Sequence, residues 1–147
     1  MSSWRTPLAI LASLAGQNCA QAAPIHQVVV TATEYAFGVP DTLPPGLTVF
    51  RLKNDGNQRH EMVLARLKDG IALSLFVRAM ATDADVGALI DLPGGATFAR
   101  PGFHDNPMGI AVVLVRGRSY VIWCGFRDSP EAPMHSRLGM FKQIVVK

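Results

Sequence analysis

Short apolar segments separated by turn residues are the feature that most constrains the fold of this chain. Val28–Thr33 is rich in β-branched residues, and Leu47–Lys53 alternates Phe50 and Leu52 with charged residues, as a strand with one buried face does. Turns containing proline, glycine or asparagine separate such segments. Further strand-like segments are His60–Ala65, Ala111–Val115, Tyr120–Cys124 and Phe141–Val146. Many short strands joined by turns indicate an all-β chain folded as a β-sandwich.

Two middle regions depart from this strand pattern. Apolar residues at four-residue spacing predict a short helix from Ile71 to Met80, with Asp69 as its N-terminal cap. Residues 81–109 contain five glycines and three prolines, which predicts turns and loops rather than long elements.

A hairpin is predicted near the carboxyl end. Arg116-Gly117-Arg118-Ser119 has turn composition and lies between Ala111–Val115 and Tyr120–Cys124. Because side chains alternate along a strand, Cys124 should point in the same direction as Ile122, toward the core.

The amino-terminal residues have the pattern of an export signal. Arg5 precedes an apolar run from Pro7 to Ala15, and Ala20-Gln21-Ala22 offers the small residues of a cleavage site. We therefore predict a signal peptide over residues 1–22 and a single mature domain over residues 23–147, exported to the periplasm. A lipid anchor on Cys19 is the alternative, but the preceding Gly-Gln-Asn is a poor match to an apolar lipobox.

Charge and hydropathy exclude several classes of partner. Loss of Arg5 with the signal peptide lowers the formal net charge from +3 to +2, which is too small to indicate binding to nucleic acid or to an anionic membrane. The mature chain has no run of about twenty apolar residues, so no membrane-spanning helix is expected.

A thiol, an imidazole and a thioether lie close together in sequence at Cys124, His135 and Met140. Cleavage after Ala22 would leave Cys124 without a disulfide partner in an oxidising compartment. Each residue alone has an ordinary interpretation as a core or loop residue, but the three together suit a soft metal, and copper first. His60, after a turn and at the start of a separate strand, adds a second imidazole.

These residues resemble the ligands of the cupredoxin, or blue copper, family. In that family the first histidine ligand opens a middle strand and three ligands come from one carboxyl-terminal loop, as His60 and then Cys124, His135 and Met140 do here. Tyr120, four residues before Cys124, is similar to the family's tyrosine. The resemblance implies a Greek-key β-sandwich of cupredoxin type, with a short helix inserted between the middle strands.

Two departures identify the chain as a divergent member. Ten residues separate Cys124 from His135, so the ligand loop is similar to the long loops of some copper reductases rather than to those of small carriers. Glu61 follows His60 where small carriers often have asparagine. The contact between the two ligand segments is therefore expected to differ from theirs.

The resemblance implies an electron carrier with one copper ion that cycles between Cu(I) and Cu(II). His60, Cys124 and His135 would form the ligand plane, with Met140 as the axial ligand. The electron would leave through an exposed edge of His135 to redox partner proteins, which would dock on the neighbouring Pro133, Met134 and Leu138. The same ligands would also serve a periplasmic copper buffer or chaperone, and a metal-free cupredoxin-fold interaction module is a third interpretation.

Enzyme activity is not expected from this sequence. A multicopper oxidase needs many histidines for its trinuclear cluster, and this chain has four. The nucleophile elbow, the phosphate-binding glycine loop and the zincin helix are all absent from the sequence. His26 and His104 have simple interpretations as a terminal residue and a turn residue. The sequence does not indicate an oligomeric state.

Overall fold

The computed structural model describes residues 23–82 and 84–147, which form two packed β-sheets. The predicted signal peptide and Cys19 lie outside these residues, and the boundary at residue 23 remains a prediction. The strands are β1 (His26–Thr33), β2 (Ala36–Gly38), β3 (Thr42–Leu43), β4 (Gly46–Asn54), β5 (His60–Leu67), β6 (Ile90–Ala99), β7 (Gly109–Leu114), β8 (Ser119–Trp123) and β9 (Phe141–Val146). Helix α1 spans Leu73–Ala81, and 3-10 helices span Val86–Leu89 and His135–Leu138.

The two sheets confirm the predicted all-β sandwich. One has four strands in the order β2-β1-β4-β7, and the other has five in the order β3-β9-β8-β5-β6. β1 is parallel to β4 and β3 is parallel to β9, whereas the other pairs are antiparallel. Non-consecutive strands are neighbours in both sheets, as in Greek-key folds. Alternate residues of both sheets, such as Phe50, Leu52, Leu64 and Ile122, meet in one buried core.

The predicted hairpin between β7 and β8 is wrong, because the two strands belong to different sheets. β7 pairs with β4, and β8 pairs with β5 and β9. The connection crosses from one sheet to the other and is braced by the buried Tyr120. Its hydroxyl accepts the Val115 N–H at 3.1 Å and donates to the Val113 carbonyl at 3.3 Å. This arrangement resembles the tyrosine corner of other β-sandwiches.

The predicted helix is present, but its start and its cap differ from the prediction. α1 begins at Leu73 after Ala72, which makes no side-chain cap, and Asp69 instead pairs with Arg118. Phe76 packs with Ala65 and Val121 on the outer face of the five-stranded sheet. None of the helices in the described part of the chain is long and apolar enough to cross a membrane.

The expectation of loops throughout residues 81–109 is wrong for Ile90–Ala99, which forms the strand β6 beside β5. Gly94 lies so close to β5 that an added Cβ would be 1.4 Å from the Leu64 carbonyl oxygen. The register shifts between Leu64 and Arg66 at this point, as in a β-bulge. In the sequence, Gly94 indicates a turn. In the structure its lack of a side chain instead lets β6 approach β5 closely.

Candidate metal centre

His60, Cys124 and His135 lie together at one end of the five-stranded sheet. His60 is the first residue of β5, Cys124 directly follows the neighbouring strand β8, and His135 begins a 3-10 helix. One donor atom from each of the three lies within 4.8 Å of the others. The Nδ1 atom of His135 is 3.2 Å from Nδ1 of His60 and 3.5 Å from Sγ of Cys124. All three side chains are at most 1% exposed.

These spacings fit a single transition-metal ion. Three ligands in a plane, at bond lengths of about 2.0–2.3 Å as for zinc, are separated from one another by roughly 3.5–3.8 Å. The separations of 3.2 Å between the two Nδ1 atoms and 3.5 Å between His135 Nδ1 and Cys124 Sγ are close to this range. Two imidazoles and one thiolate suit copper, whereas structural zinc sites have four strong ligands. The donor set therefore fits copper.

Burial favours the neutral forms of both His60 and Cys124 when no metal is bound. Burial, followed by the nearby His135, lowers the pKa of His60 and favours a neutral imidazole, which is the form that binds a metal. Burial raises the pKa of the Cys124 thiol, although the backbone N–H groups of Glu61 and Phe126 oppose this effect. A thiolate in such a site needs a cation to balance its charge.

Met140 is joined by its backbone to two of these residues. Its N–H donates to the His135 carbonyl at 3.0 Å, and its carbonyl accepts the Cys124 N–H at 3.1 Å. Its side chain is fully buried and belongs to the same core cluster as Cys124. The structure therefore places the backbone of Met140 beside Cys124 and His135, and an axial role for its sulfur remains a prediction.

Glu61 links the two segments that supply these residues. Its backbone N–H donates to Sγ of Cys124 at 3.4 Å, and its Oε1 accepts the Gly125 N–H at 2.8 Å. A Cβ on Gly125 would be 2.7 Å from that carboxylate oxygen, so glycine leaves room for the contact. The contact between the two ligand segments was expected to differ from that of small carriers, and in this chain the Glu61 carboxylate forms it.

His135 differs from the expectation of an exposed edge, because it is 1% exposed. Its Nε2 is 2.9 Å from Oδ1 of Asp128, and the Tyr35 hydroxyl donates to Oδ2 of the same carboxylate at 2.9 Å. The Tyr35 ring also meets the His135 ring edge to face, with centroids 5.1 Å apart. Hydrogen bonds from His135 and then Tyr35 lower the pKa of Asp128, which is therefore ionised at neutral pH.

Sequence reasoning missed Asp128 and Tyr35. Asp128 lies within the long gap between Cys124 and His135, where an acidic residue could have been noted. Tyr35 lies in the turn after β1 and has no spacing that relates it to the site.

The remaining histidines lie outside this group of three donors. His104 is exposed in the loop before β7, and its Nδ1 is 2.9 Å from Asp55. His26 is the first residue of β1 and pairs with Thr48 of β4, so it belongs to the sheet.

Comparison with known proteins supports the fold. No family model and no curated protein sequence matches the chain. Auracyanin B is similar at 19% identity and a TM-score of 0.51, covering 83% of this chain and 88% of that chain. Sodium-dithionite-reduced auracyanin from the photosynthetic bacterium Roseiflexus castenholzii is similar at 21% identity and a TM-score of 0.50, covering 86% and 99%.

A third similar structure is the azurin Az-iso2 from the obligate methylotroph Methylomonas sp. strain J. It is 13% identical with a TM-score of 0.50, and the match covers 83% of this chain and 98% of that chain. At these identities the likeness establishes the fold alone. Auracyanins and azurin are cupredoxins, so this chain has the cupredoxin fold that its sequence resemblance implied.

Proposed function

We propose that the protein binds one copper ion at His60, Cys124, His135 and Met140 and carries electrons between partner proteins in the periplasm, after removal of residues 1–22. One observation carries this proposal: two imidazole nitrogens and a thiol sulfur converge within 4.8 Å in a buried position. When bound, copper supplies a reversible one-electron change between Cu(I) and Cu(II).

The surrounding chain holds the donors in place and keeps water away. His60 and Cys124 are supported by the paired strands β5 and β8, and the Glu61 carboxylate fixes the first residue after Cys124. Donors held by sheet pairing and hydrogen bonds move little when the charge of the centre changes, which suits fast electron transfer. Met140 would supply a weak axial thioether, a ligand that tunes the reduction potential of such sites.

Burial of the site favours electron carriage over copper delivery. A chaperone must present its metal to the ligands of an acceptor protein, whereas His60, Cys124 and His135 are at most 1% exposed. Copper could leave this site only if the segment between Cys124 and Met140 opened. An electron can pass through packed protein without such a movement.

The first test is the visible spectrum of the purified protein loaded with Cu(II). We expect an intense charge-transfer band from the Cys124 thiolate and reversible reduction at an electrode. The C124S variant should lose the band, while H104A, which changes an exposed histidine outside the site, should retain it. A colourless wild-type protein without tight copper binding would refute the proposal and favour the metal-free interaction module.

A further inference from the structure

Asp128 joins the metal centre to a residue of the opposite sheet. It lies on the loop that follows β8 of the five-stranded sheet, whereas Tyr35 lies between β1 and β2 of the four-stranded sheet. Each oxygen of the carboxylate has its own partner, His135 Nε2 at 2.9 Å for Oδ1 and the Tyr35 hydroxyl at 2.9 Å for Oδ2.

We propose that Asp128, held by Tyr35, is a positioning residue that fixes the tautomer and the donor strength of His135. This inference rests on the proposed function, because His135 is one of the proposed copper ligands. It adds two residues, Asp128 and Tyr35, that are not proposed ligands and that act through their contacts with the His135 ring.

The tautomer follows from the chemistry of the contact. An ionised carboxylate only accepts hydrogen bonds, so the hydrogen of a neutral His135 ring must be on Nε2. Its Nδ1 then has a free lone pair, and this atom faces Nδ1 of His60 and Sγ of Cys124 at 3.2 and 3.5 Å. Asp128 therefore holds His135 in the metal-binding tautomer already in the metal-free protein.

Tyr35 keeps the carboxylate in this position. It has a φ of 57°, a conformation that residues other than glycine seldom adopt. In this conformation its ring contacts the His135 ring and its hydroxyl reaches Asp128. The contact joins residues 93 positions apart in sequence, so it depends on the assembled sandwich.

The two imidazoles of the site are therefore unequal. His60 is fully buried, and its Nε2 has no hydrogen-bond partner among the described residues. A carboxylate behind a metal-binding histidine makes that ligand more basic and orients its ring. His135 is thus the stronger donor of the pair, and its contact with Asp128 stabilises the oxidised state of the metal.

The test compares D128N with D105N, which removes an equal charge from an exposed aspartate in the loop before β7. Asparagine retains an oxygen that can accept from His135 but lacks the negative charge. We expect D128N to weaken Cu(II) binding by about 10- to 100-fold and to raise the reduction potential. D105N should leave both unchanged, and Y35F should shift both in the same direction as D128N by a smaller amount.

A second measurement is independent of copper. Nitrogen NMR of the metal-free wild-type protein should place the His135 hydrogen on Nε2, and D128A should lose this preference while the fold is retained. A hydrogen on Nδ1 in the wild type would overturn the inference, as would a copper-loaded D128N that matches D105N in affinity and potential. A wild type that shows the Nε2 tautomer but binds no copper would refute the proposed function and leave the tautomer assignment intact.

Discussion

At the scale of single residues, the candidate centre combines donors of different strength. His135 has a charged hydrogen-bond partner at Nε2, His60 has no partner for Nε2 within the described chain, and Cys124 accepts the backbone N–H groups of Glu61 and Phe126. Met140 is joined to the site by two backbone hydrogen bonds, and its side chain is buried in the core. Each residue can therefore be tested for a separate effect on the reduction potential.

Met140 should influence the potential more than the stability. Met-to-Leu is a volume-conserving change, so M140L should alter the free energy of unfolding by less than about 1.5 kcal/mol. We expect the potential to rise, because the loss of a thioether donor removes stabilisation from the oxidised metal. Voltammetry and urea titration measure the two effects. M62L, another buried methionine of the same core, is the control, and equal potential shifts in both variants would contradict an axial role for Met140.

The residues of the site differ in how far sequence could predict them. A thiol, imidazoles and a thioether occur together mainly in sites for soft metals. Chemistry and spacing therefore made the proposed ligands recognisable, namely His60, Cys124, His135 and Met140. Aspartate and tyrosine occur widely for many reasons, and the Tyr35–Asp128 contact links distant segments that only the folded sandwich brings together. No local pattern could therefore have identified that pair.

At the scale of elements, local patterns predicted the strands better than their partners. Alternation of apolar and charged residues identified β4 because it depends on which residues are buried, and β5 and β9 were recognisable as strand-like segments. The short connection between β7 and β8 suggested a hairpin, but the chain crosses between sheets there. Asp69 had the composition of a helix cap, yet its pairing with Arg118 is a tertiary interaction that helix-start rules do not include.

Tyr120 should stabilise the crossing between the sheets. In the Y120F variant the Val115 N–H and the Val113 carbonyl both lose their partner, so we expect the free energy of unfolding to fall by about 1–3 kcal/mol. Urea denaturation of the metal-free protein measures this loss. Y35F is the matched control and should change the stability by less than about 0.5 kcal/mol, because its hydroxyl bond lies at the surface. Equal losses in the two variants would contradict the bracing role.

At the scale of the whole molecule, the proposed ligands connect neighbouring strands of one sheet. His60 opens β5 and Cys124 follows β8, and these two strands pair directly. The contact between Tyr35 and Asp128 connects the two sheets at the same end of the sandwich. A bound ion and this hydrogen bond therefore stabilise different parts of the fold.

Copper should stabilise the folded protein by mass action. At a free copper concentration 1,000 times the dissociation constant, the free energy of unfolding should rise by about 4 kcal/mol, provided that the unfolded chain does not bind the metal. Urea denaturation with and without Cu(II) measures the gain, and C124S should show much less of it. An equal gain in C124S would indicate that copper binds elsewhere on the chain.

The close approach of Gly94 to β5 limits how this sequence can diverge. A Cβ at that position would be 1.4 Å from the Leu64 carbonyl oxygen, so any other residue would separate two paired strands. Gly102 and Gly117 have positive φ but open space around them, so asparagine or aspartate can replace them at modest cost. Among descendants of this gene, purifying selection should therefore be stronger at position 94, which is not a proposed ligand, than at either turn.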